Sequence, residues 1–346
     1  MHATFAEILE PLAQGRDLSE ELAKAAFDKL MEGRLSPAQA GAFLLGLRAK
    51  GETPVEVTAA VTAALARARL LPNLDRLTGP RIDTCGTGGD NSQSFNCSTA
   101  VALCLAGLGY KVVKHGNRSV SSSCGSADAV EALGLPMPTD PEEATRELER
   151  RNFVFLFAPA YHPAFKHIMP VRRELGVRTL FNLLGPLLNP GRPTHQLLGV
   201  ARPEIMHLMA EVLLRKGVTR AAVVHGQGPQ GSATGSTAGY DELTPLGPAK
   251  IVWVEGGSLV ETELDPEELG FPPCAAQDLA VRDKEHAVAV LREVLAGKGP
   301  KSVRDMLALN LTVALHLLEP EAGMSACAEK ARGAVASGVG LKVLHG

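Results

Sequence analysis

Between residues 3 and 70, apolar positions recur at three- and four-residue steps with polar residues filling the gaps, the pattern of helices that each bury one stripe. Phe43, Leu44 and Leu47 form one stripe, and Val57, Val61 and Leu65 another. Two helix starts are explicit. Ser36-Pro37-Ala38-Gln39 and Thr53-Pro54-Val55-Glu56 each set a hydroxyl cap, a proline at the first helical position, and an amide or acid three residues after the cap. The segment 1–72 therefore reads as a small helical domain, and 72–80, PNLDRLTGP, as a linker.

From Arg81 the periodicity changes. Short β-rich runs, YKVVK (110–114), NFVFLFA (152–158), HQLLGVA (195–201) and RAAVVHG (220–226), alternate with helical patterns such as TAVALCLAGLG, DPEEATRELERR and PEIMHLMAEVLLRKG. Strands separated by helices of that length predict a mainly parallel sheet covered on both faces. The fold class is thus α/β, with a larger α/β domain over 81–346 after the small N-terminal helical domain. Residues 162–192 interrupt the alternation with more helix, and are expected to rejoin the bundle. The stretch 227–240, QGPQGSATGSTAGY, with glycines at 228, 231, 235 and 239, reads as a mobile loop.

Charge narrows the partners. Lys and Arg total 35 against 38 Asp and Glu, a net charge of -3, without the basic excess that nucleic-acid binding requires. Small molecules are the expected ligands. No apolar run approaches the roughly 20 residues that span a bilayer, and the N-terminus lacks a leader-type apolar core, so the expected location is the cytoplasm, with no membrane contact. The six cysteines form no CxxC pair or Cys/His ligand spacing, so neither a disulfide framework nor a zinc site is expected.

Four clusters carry candidate chemistry. In Asp83-Thr84-Cys85-Gly86-Thr87-Gly88-Gly89-Asp90, the glycines let consecutive N–H groups converge on one anion, and the helix start at Asn96-Cys97-Ser98-Thr99 adds its partial positive charge. In isolation the run reads equally as a glycine turn before a helix capped by Ser98 or Thr99. The second cluster leaves the strand YKVVK as Lys114-His115-Gly116-Asn117-Arg118, continues through Ser119, Ser121, Ser122 and Ser123, and reaches Gly125-Ser126-Ala127-Asp128. Ligands of open α/β sheets sit beyond such strand ends. Ser126 falls where a helix N-cap belongs, whereas Lys114, Asn117 and Arg118 lack an equally routine role. The third cluster, 162–190, sets Arg172 and Arg173 near a turn at Leu184-Gly185-Pro186-Leu187 that reads as strained. Taken alone, such arginines are solvated surface. The fourth is Asp241-Glu242: adjacent carboxylates suit Mg²⁺, which takes one or two of them and adds waters and substrate phosphates, although an isolated Asp-Glu pair is ordinarily surface.

Taken in order, GTGGD, the NCST helix start, KHGNRSVSSSCGSADAVEALG and VRRELGVRTLFNLLGPLLNP resemble the anthranilate phosphoribosyltransferase family over nearly the whole chain. That resemblance implies a fold like those of nucleoside phosphorylases and phosphoribosyltransferases, with a hinge between a helical and an α/β domain and an active site between them. It also implies homodimers formed through the helical domain. The implied reaction moves the 5-phosphoribosyl group of phosphoribosyl pyrophosphate (PRPP) to the amine of anthranilate, in tryptophan biosynthesis, with Mg²⁺ at two ions per site.

Residue by residue, the resemblance implies a donor site of Gly86, Thr87, Gly89, Asp90, Asn96, Ser98, Thr99, Lys114, Asn117 and Ser126. Gly86 and Asn117 also face the acceptor, with Arg172, Gly185 and Pro186 and the neighbouring His115 and His162. Ser98, Asp241 and Glu242 are the implied metal ligands. The acidic pair departs from the family pattern by following the strand end His225-Gly226 only after residues 227–240, where the family has a short link. Cys97 and Cys124 stand where Ile, and Ser or Gly, are common. Two other readings are a pyrimidine nucleoside phosphorylase, whose glycine loop differs, and a non-catalytic nucleic-acid-binding relative, which the net acidity opposes.

Overall fold

The computed structural model describes residues 4–90, 94–118, 124–228 and 239–345. The chain divides into two compact units, one of Met1–Leu70 with Ala158–Pro190 and one of Leu71–Phe157 with Gly191–Gly346.

The helical unit opens with helices Phe5–Ala13, Glu20–Met31, Pro37–Lys50 and Pro54–Leu65. Both expected capping boxes form. The Ser36 hydroxyl accepts from the Gln39 N–H at 3.2 Å, and the Gln39 side chain accepts from the Ser36 N–H at 3.0 Å. Thr53 and Glu56 make the same reciprocal pair at 3.3 and 2.9 Å. The apolar stripes meet inside, where Phe43, Leu44, Leu47, Val57 and Val61 are buried and Phe43 lies edge-on to Phe27 at 5.0 Å between centroids. The second segment adds helices Ala158–Tyr161, Met169–Leu175 and Phe181–Leu184.

Among the described residues, the α/β unit holds one seven-stranded sheet. Its strands are β1 (Arg81–Gly86), β2 (Lys111–Gly116), β3 (Phe153–Phe157), β4 (His195–Gly199), β5 (Arg220–His225), β6 (Ala249–Glu255) and β7 (Ser258–Leu264), in the order β3-β2-β1-β4-β5-β6-β7. β1 to β5 are parallel, and β6 and β7 antiparallel. Alternate residues of β5 face opposite cores. Ala222 and Val224 join the cluster built with helices Cys97–Gly107 and Lys301–Leu318, whereas Ala221 and Val223 are also buried but lie outside that cluster.

The chain leaves β1 toward β2 and β3 on one side and returns to β4 and β5 on the other. The carboxyl ends of β1 and β4 are therefore the switch point at which open α/β sheets bind ligands. Three strands had no place in the sequence reading. β1 carries a single aliphatic residue, Ile82, and its last residues belong to the polar glycine cluster. β6 and β7 form a hairpin turned by Gly256 and Gly257, both at positive φ. Most of the expected mobile loop, residues 229–238, lies outside the described residues, as do Ser119, Ser121, Ser122 and Ser123. No helix among the described residues is long and apolar enough to cross a membrane.

Glu56 does more than cap. Fully buried, its carboxylate also accepts from the Leu18 N–H at 3.0 Å and pairs with the ammonium of Lys50 at 3.0 Å. Removing the carboxylate leaves the Leu18 and Thr53 N–H groups without their acceptor and takes the buried partner from Lys50. Glu56→Ala is therefore expected to cost about 3–5 kcal/mol in a denaturant titration, whereas removing the exposed Asp17 partner of Lys50 costs under about 1 kcal/mol. Equal losses would mean that burial of the pair is not what stabilises the unit.

Candidate active site

The glycine run emerges from β1 at the switch point. Gly88 and Gly89 have φ of 68° and 80°, a region that residues with a Cβ rarely adopt. The Thr87 N–H donates to the Gly199 carbonyl at 3.0 Å, and the Thr87 hydroxyl accepts from the Ala201 N–H at 3.3 Å, so the loop is tied to the end of β4. Asp241, distant in sequence, lies directly on it and accepts from the Gly88 N–H at 2.7 Å.

Strand-end glycines create this approach. A Cβ on Gly199 would stand 1.5 Å from the Asp241 carbonyl oxygen, one on Gly86 2.1 Å from the Asp241 carboxylate, and one on Gly226 2.0 Å from the Glu242 carbonyl oxygen. No side chain fits at the ends of β1, β4 or β5, and the backbone of Asp241-Glu242 crosses in the space left.

Glu242 takes the next anion position. One carboxylate oxygen accepts from the Ser98 N–H at 3.0 Å and the other from the Ser94 hydroxyl at 3.3 Å. It therefore occupies the N-terminus of helix Cys97–Gly107, where negative charge is favoured. Asp90 also hydrogen-bonds Asp241. Burial first, and then the charge of Asp90, pushes the Asp241 carboxyl above its ordinary range; burial followed by Asp241 and Asp90 does the same to Glu242. Oxygen donors crowded in this way suit a hard cation, which relieves their repulsion. No group of three or more His, Cys, Asp or Glu among the described residues could hold a metal ion.

The cap at this helix is thus Glu242, and neither Ser98 nor Thr99 supplies it. Thr99 is fully buried in the first turn. Lys114 is 1% exposed, and its ammonium donates to the Thr84 carbonyl at 2.6 Å and the Ser98 hydroxyl at 3.2 Å, beneath the loop rather than at its mouth. Burial lowers its pKa, opposed by the nearby Asp83.

The second loop packs alongside. Asn96 donates to the Cys124 carbonyl at 3.0 Å, joining the helix start to Gly125-Ser126. Ser126 is the first residue of helix Ser126–Ala132, not its cap. The Gly125 N–H is taken instead by Asp128 at 3.1 Å, and the Ser126 hydroxyl reaches the Asn117 carbonyl at 3.4 Å. Gly116 is tight against Ser126, since a Cβ there would lie 2.2 Å from its hydroxyl oxygen. His115 is buried in β2. Arg118 has a routine role after all, pairing with Asp128 at 3.2 Å and Glu131 at 2.7 Å.

Arg172, His162, Gly185 and Pro186 all belong to the helical unit. The Arg172 guanidinium stacks over Phe181, 5.3 Å from the ring centroid, and burial lowers its pKa. No carboxylate among the described residues of this unit pairs with it. His162 is buried and stacked on Phe165 at 5.5 Å, and burial holds it at a pKa of about 4, so the ring is neutral at pH 7. The turn at Gly185 is not strained. Its φ and ψ of -44° and -55° continue the helical backbone of Phe181–Leu184 into the 3₁₀ turn Gly185–Leu187.

Two family models match the chain, the helical bundle domain of the glycosyl transferase family over residues 6–68 and its a/b domain over 78–341. The anthranilate phosphoribosyltransferase of Nitratidesulfovibrio vulgaris is 58% identical over 350 residues, covering 100% of both chains. The chain belongs to the anthranilate phosphoribosyltransferase family. A second member, from Oleidesulfovibrio alaskensis, is 58% identical over 98% of each chain. The solved family structure from Thermus thermophilus superposes with a TM-score of 0.86 at 37% identity, over 98% of this chain and 97% of that one. The Saccharomyces cerevisiae member, solved in complex with PRPP and Mg, has a TM-score of 0.83 at 24% identity, a likeness that carries the fold alone. The chain is accordingly a transferase, which sets aside the phosphorylase and nucleic-acid-binding readings.

Membership in the family leaves some of the machinery unnamed. Gly199, Gly226, Ser94 and Asn310 all bear on the acidic pair, and none was singled out from sequence. The glycines carry a signal in retrospect, because each closes an apolar strand run. Gly199→Ala is expected to push the Asp241 backbone off the strand ends and cut turnover by about 100-fold or more, while Gly323→Ala, where nothing lies within 4 Å of the added carbon, leaves turnover unchanged. A folded Gly199→Ala variant with full steady-state activity would show that the acidic pair need not sit where it does.

Proposed function

We propose that this chain transfers the 5-phosphoribosyl group of PRPP to the amine of anthranilate, with donor and metal ligands from the α/β unit and acceptor ligands from the helical unit. The observation that carries the donor half is the convergence of the glycine loop, the helix N-terminus and the Asp241-Glu242 pair. Gly86, Thr87, Gly88 and Gly89 present backbone around the diphosphate, flanked by Asp90, Asn96 and Ser98. The N–H groups of Gly88 and Ser98 now bonded to carboxylates are the donors a phosphate would take. Asn117 and Ser126 stand at the phosphoribosyl end. Thr99 and Lys114 support from beneath, and the buried ammonium supplies positive charge through Ser98 rather than by contact. Asp241, Glu242 and Ser98 would hold Mg²⁺, two ions per site by family analogy. When bound, that cation neutralises charge on the departing diphosphate.

The attacking amine already carries its lone pair, so positioning matters more than a strong base. Arg172 has no carboxylate partner among the described residues of its own unit and offers a fork that matches one. Neutral His162 and the residues Gly185 and Pro186 would pack beside the anthranilate ring, with His115, Gly86 and Asn117 at the reacting end. A cytoplasmic homodimer completes the reading. The resemblance to the family supports association through the helical unit.

The direct test follows loss of anthranilate fluorescence on adding PRPP and Mg²⁺, first with the wild type and then with Arg172→Ala. Removing a charge-assisted contact is expected to raise the anthranilate KM by about 10- to 150-fold and leave the PRPP KM nearly unchanged, because the carboxylate is remote from the bond that breaks. Aniline, having no carboxylate, should be indifferent to the substitution. No turnover by the wild type would overturn the reading, and a change confined to the PRPP KM would move Arg172 to the donor.

A further inference from the structure

We propose that Asn310 is a positioning residue for the donor and metal site, a buried amide that clamps the chain just after Asp241-Glu242 and holds both carboxylates over the strand ends. The proposal rests on the metal role assigned to that pair above. Asn310 lies in the long helix Lys301–Leu318 and is 3% exposed. Its carbonyl oxygen accepts from the Leu243 N–H at 3.0 Å, and its amide donates to the Leu243 carbonyl at 2.7 Å and the Met306 carbonyl at 2.8 Å. One side chain thus takes both backbone groups of Leu243, as a neighbouring strand would.

Nothing else in the run Met306–Leu315 explains such an amide. Its neighbours Leu309, Leu311, Val313 and Ala314 are fully buried and apolar, and a buried amide persists only when its bonds are made. Asn310, Asp241, Glu242, Ser98 and Thr84 line a single cavity of about 10 Å³ beneath the loop. The strand-end glycines admit the acidic pair without fixing it, because a missing Cβ leaves room but applies no restraint. Gly226 and Tyr240 exchange two backbone hydrogen bonds just before the pair, and Asn310 supplies the matching backbone restraint just after it. Leu243 cannot slide along the strand ends without breaking two hydrogen bonds in a site closed to water.

Asn310→Leu keeps the volume and removes the clamp, and Asn310→Ser lets water replace the amide should the leucine variant fold poorly. Leu315→Ala, in the same helix but away from the acidic pair, matches the loss of stability. Calorimetry would measure binding of inorganic pyrophosphate with Mg²⁺, beside melting temperatures and steady-state kinetics. A folded Asn310 variant is expected to lose about ten-fold in pyrophosphate–Mg²⁺ affinity and to need correspondingly more Mg²⁺ for half-maximal rate, with the anthranilate KM within about two-fold of wild type. Leu315→Ala should melt lower and bind normally. The proposal falls if folded Asn310 variants bind pyrophosphate and Mg²⁺ as the wild type does, or if Leu315→Ala loses as much. Failure of the underlying metal assignment is seen separately, as wild-type pyrophosphate binding that does not respond to Mg²⁺.

Discussion

The arrangement turns on one close approach, the passage of the Asp241-Glu242 backbone over the carboxyl ends of β1, β4 and β5. A Cβ on Gly86, Gly199 or Gly226 would enter that backbone or its carboxylate at 2.1 Å or less, so glycine stands at or just past these three strand ends for a reason of volume rather than turn geometry. The approach brings two acids onto two anion-binding features, the Gly88 N–H and the start of helix Cys97–Gly107. Backbone donors that a phosphate could use are thereby satisfied by the protein itself, and the accumulated negative charge favours a divalent cation. A site of this kind stores its own counter-charge. In the proposed reading, a cation and the diphosphate oxygens would complete what the carboxylates begin, over a sheet that holds the parts in register.

The helical-unit residues proposed for the acceptor obey different physics. Arg172 is held by its stack on Phe181 and has no carboxylate partner among the described residues of its unit, while burial keeps His162 uncharged at neutral pH. A cation-bearing fork beside neutral rings suits a flat aromatic acid, which needs one charged contact and otherwise dispersion. In the proposed reading, Arg172 would take the carboxylate and the glycine loop the diphosphate, so that separate sets of residues would hold the two substrates.

Local signals were readable in the chain and non-local ones were not. The capping boxes at Ser36 and Thr53 depend on residues three apart, and the strand runs ending at Lys114, Ala158, Ala201 and Gly226 on short-range pattern, so both could be inferred from sequence. β1 is hard to read because RIDTCG carries a single aliphatic residue, Ile82, and runs into its own glycine loop, whereas the hairpin of β6 and β7 has a local signal in its Gly256-Gly257 turn. Ser126 was displaced by one position as a cap, since the carboxylate of Asp128 serves Gly125 instead. Arg118 and Lys114 show the same limit: whether a basic side chain faces solvent, an acid or a carbonyl depends on partners folded in from elsewhere. The clamp of Asn310 on Leu243 joins residues 67 apart, and only its presence as an amide in an apolar helix hinted at a role.

Crystals grown with PRPP and Mn²⁺ in place of Mg²⁺ offer the most direct measurement, because the anomalous signal of the metal locates it without reference to the protein. The account predicts a manganese peak against the carboxylates of Asp241 and Glu242, with the diphosphate on the N–H groups of the glycine loop. Manganese and diphosphate bound away from both acids, with Asp241 still hydrogen-bonded to the Gly88 N–H, would contradict it.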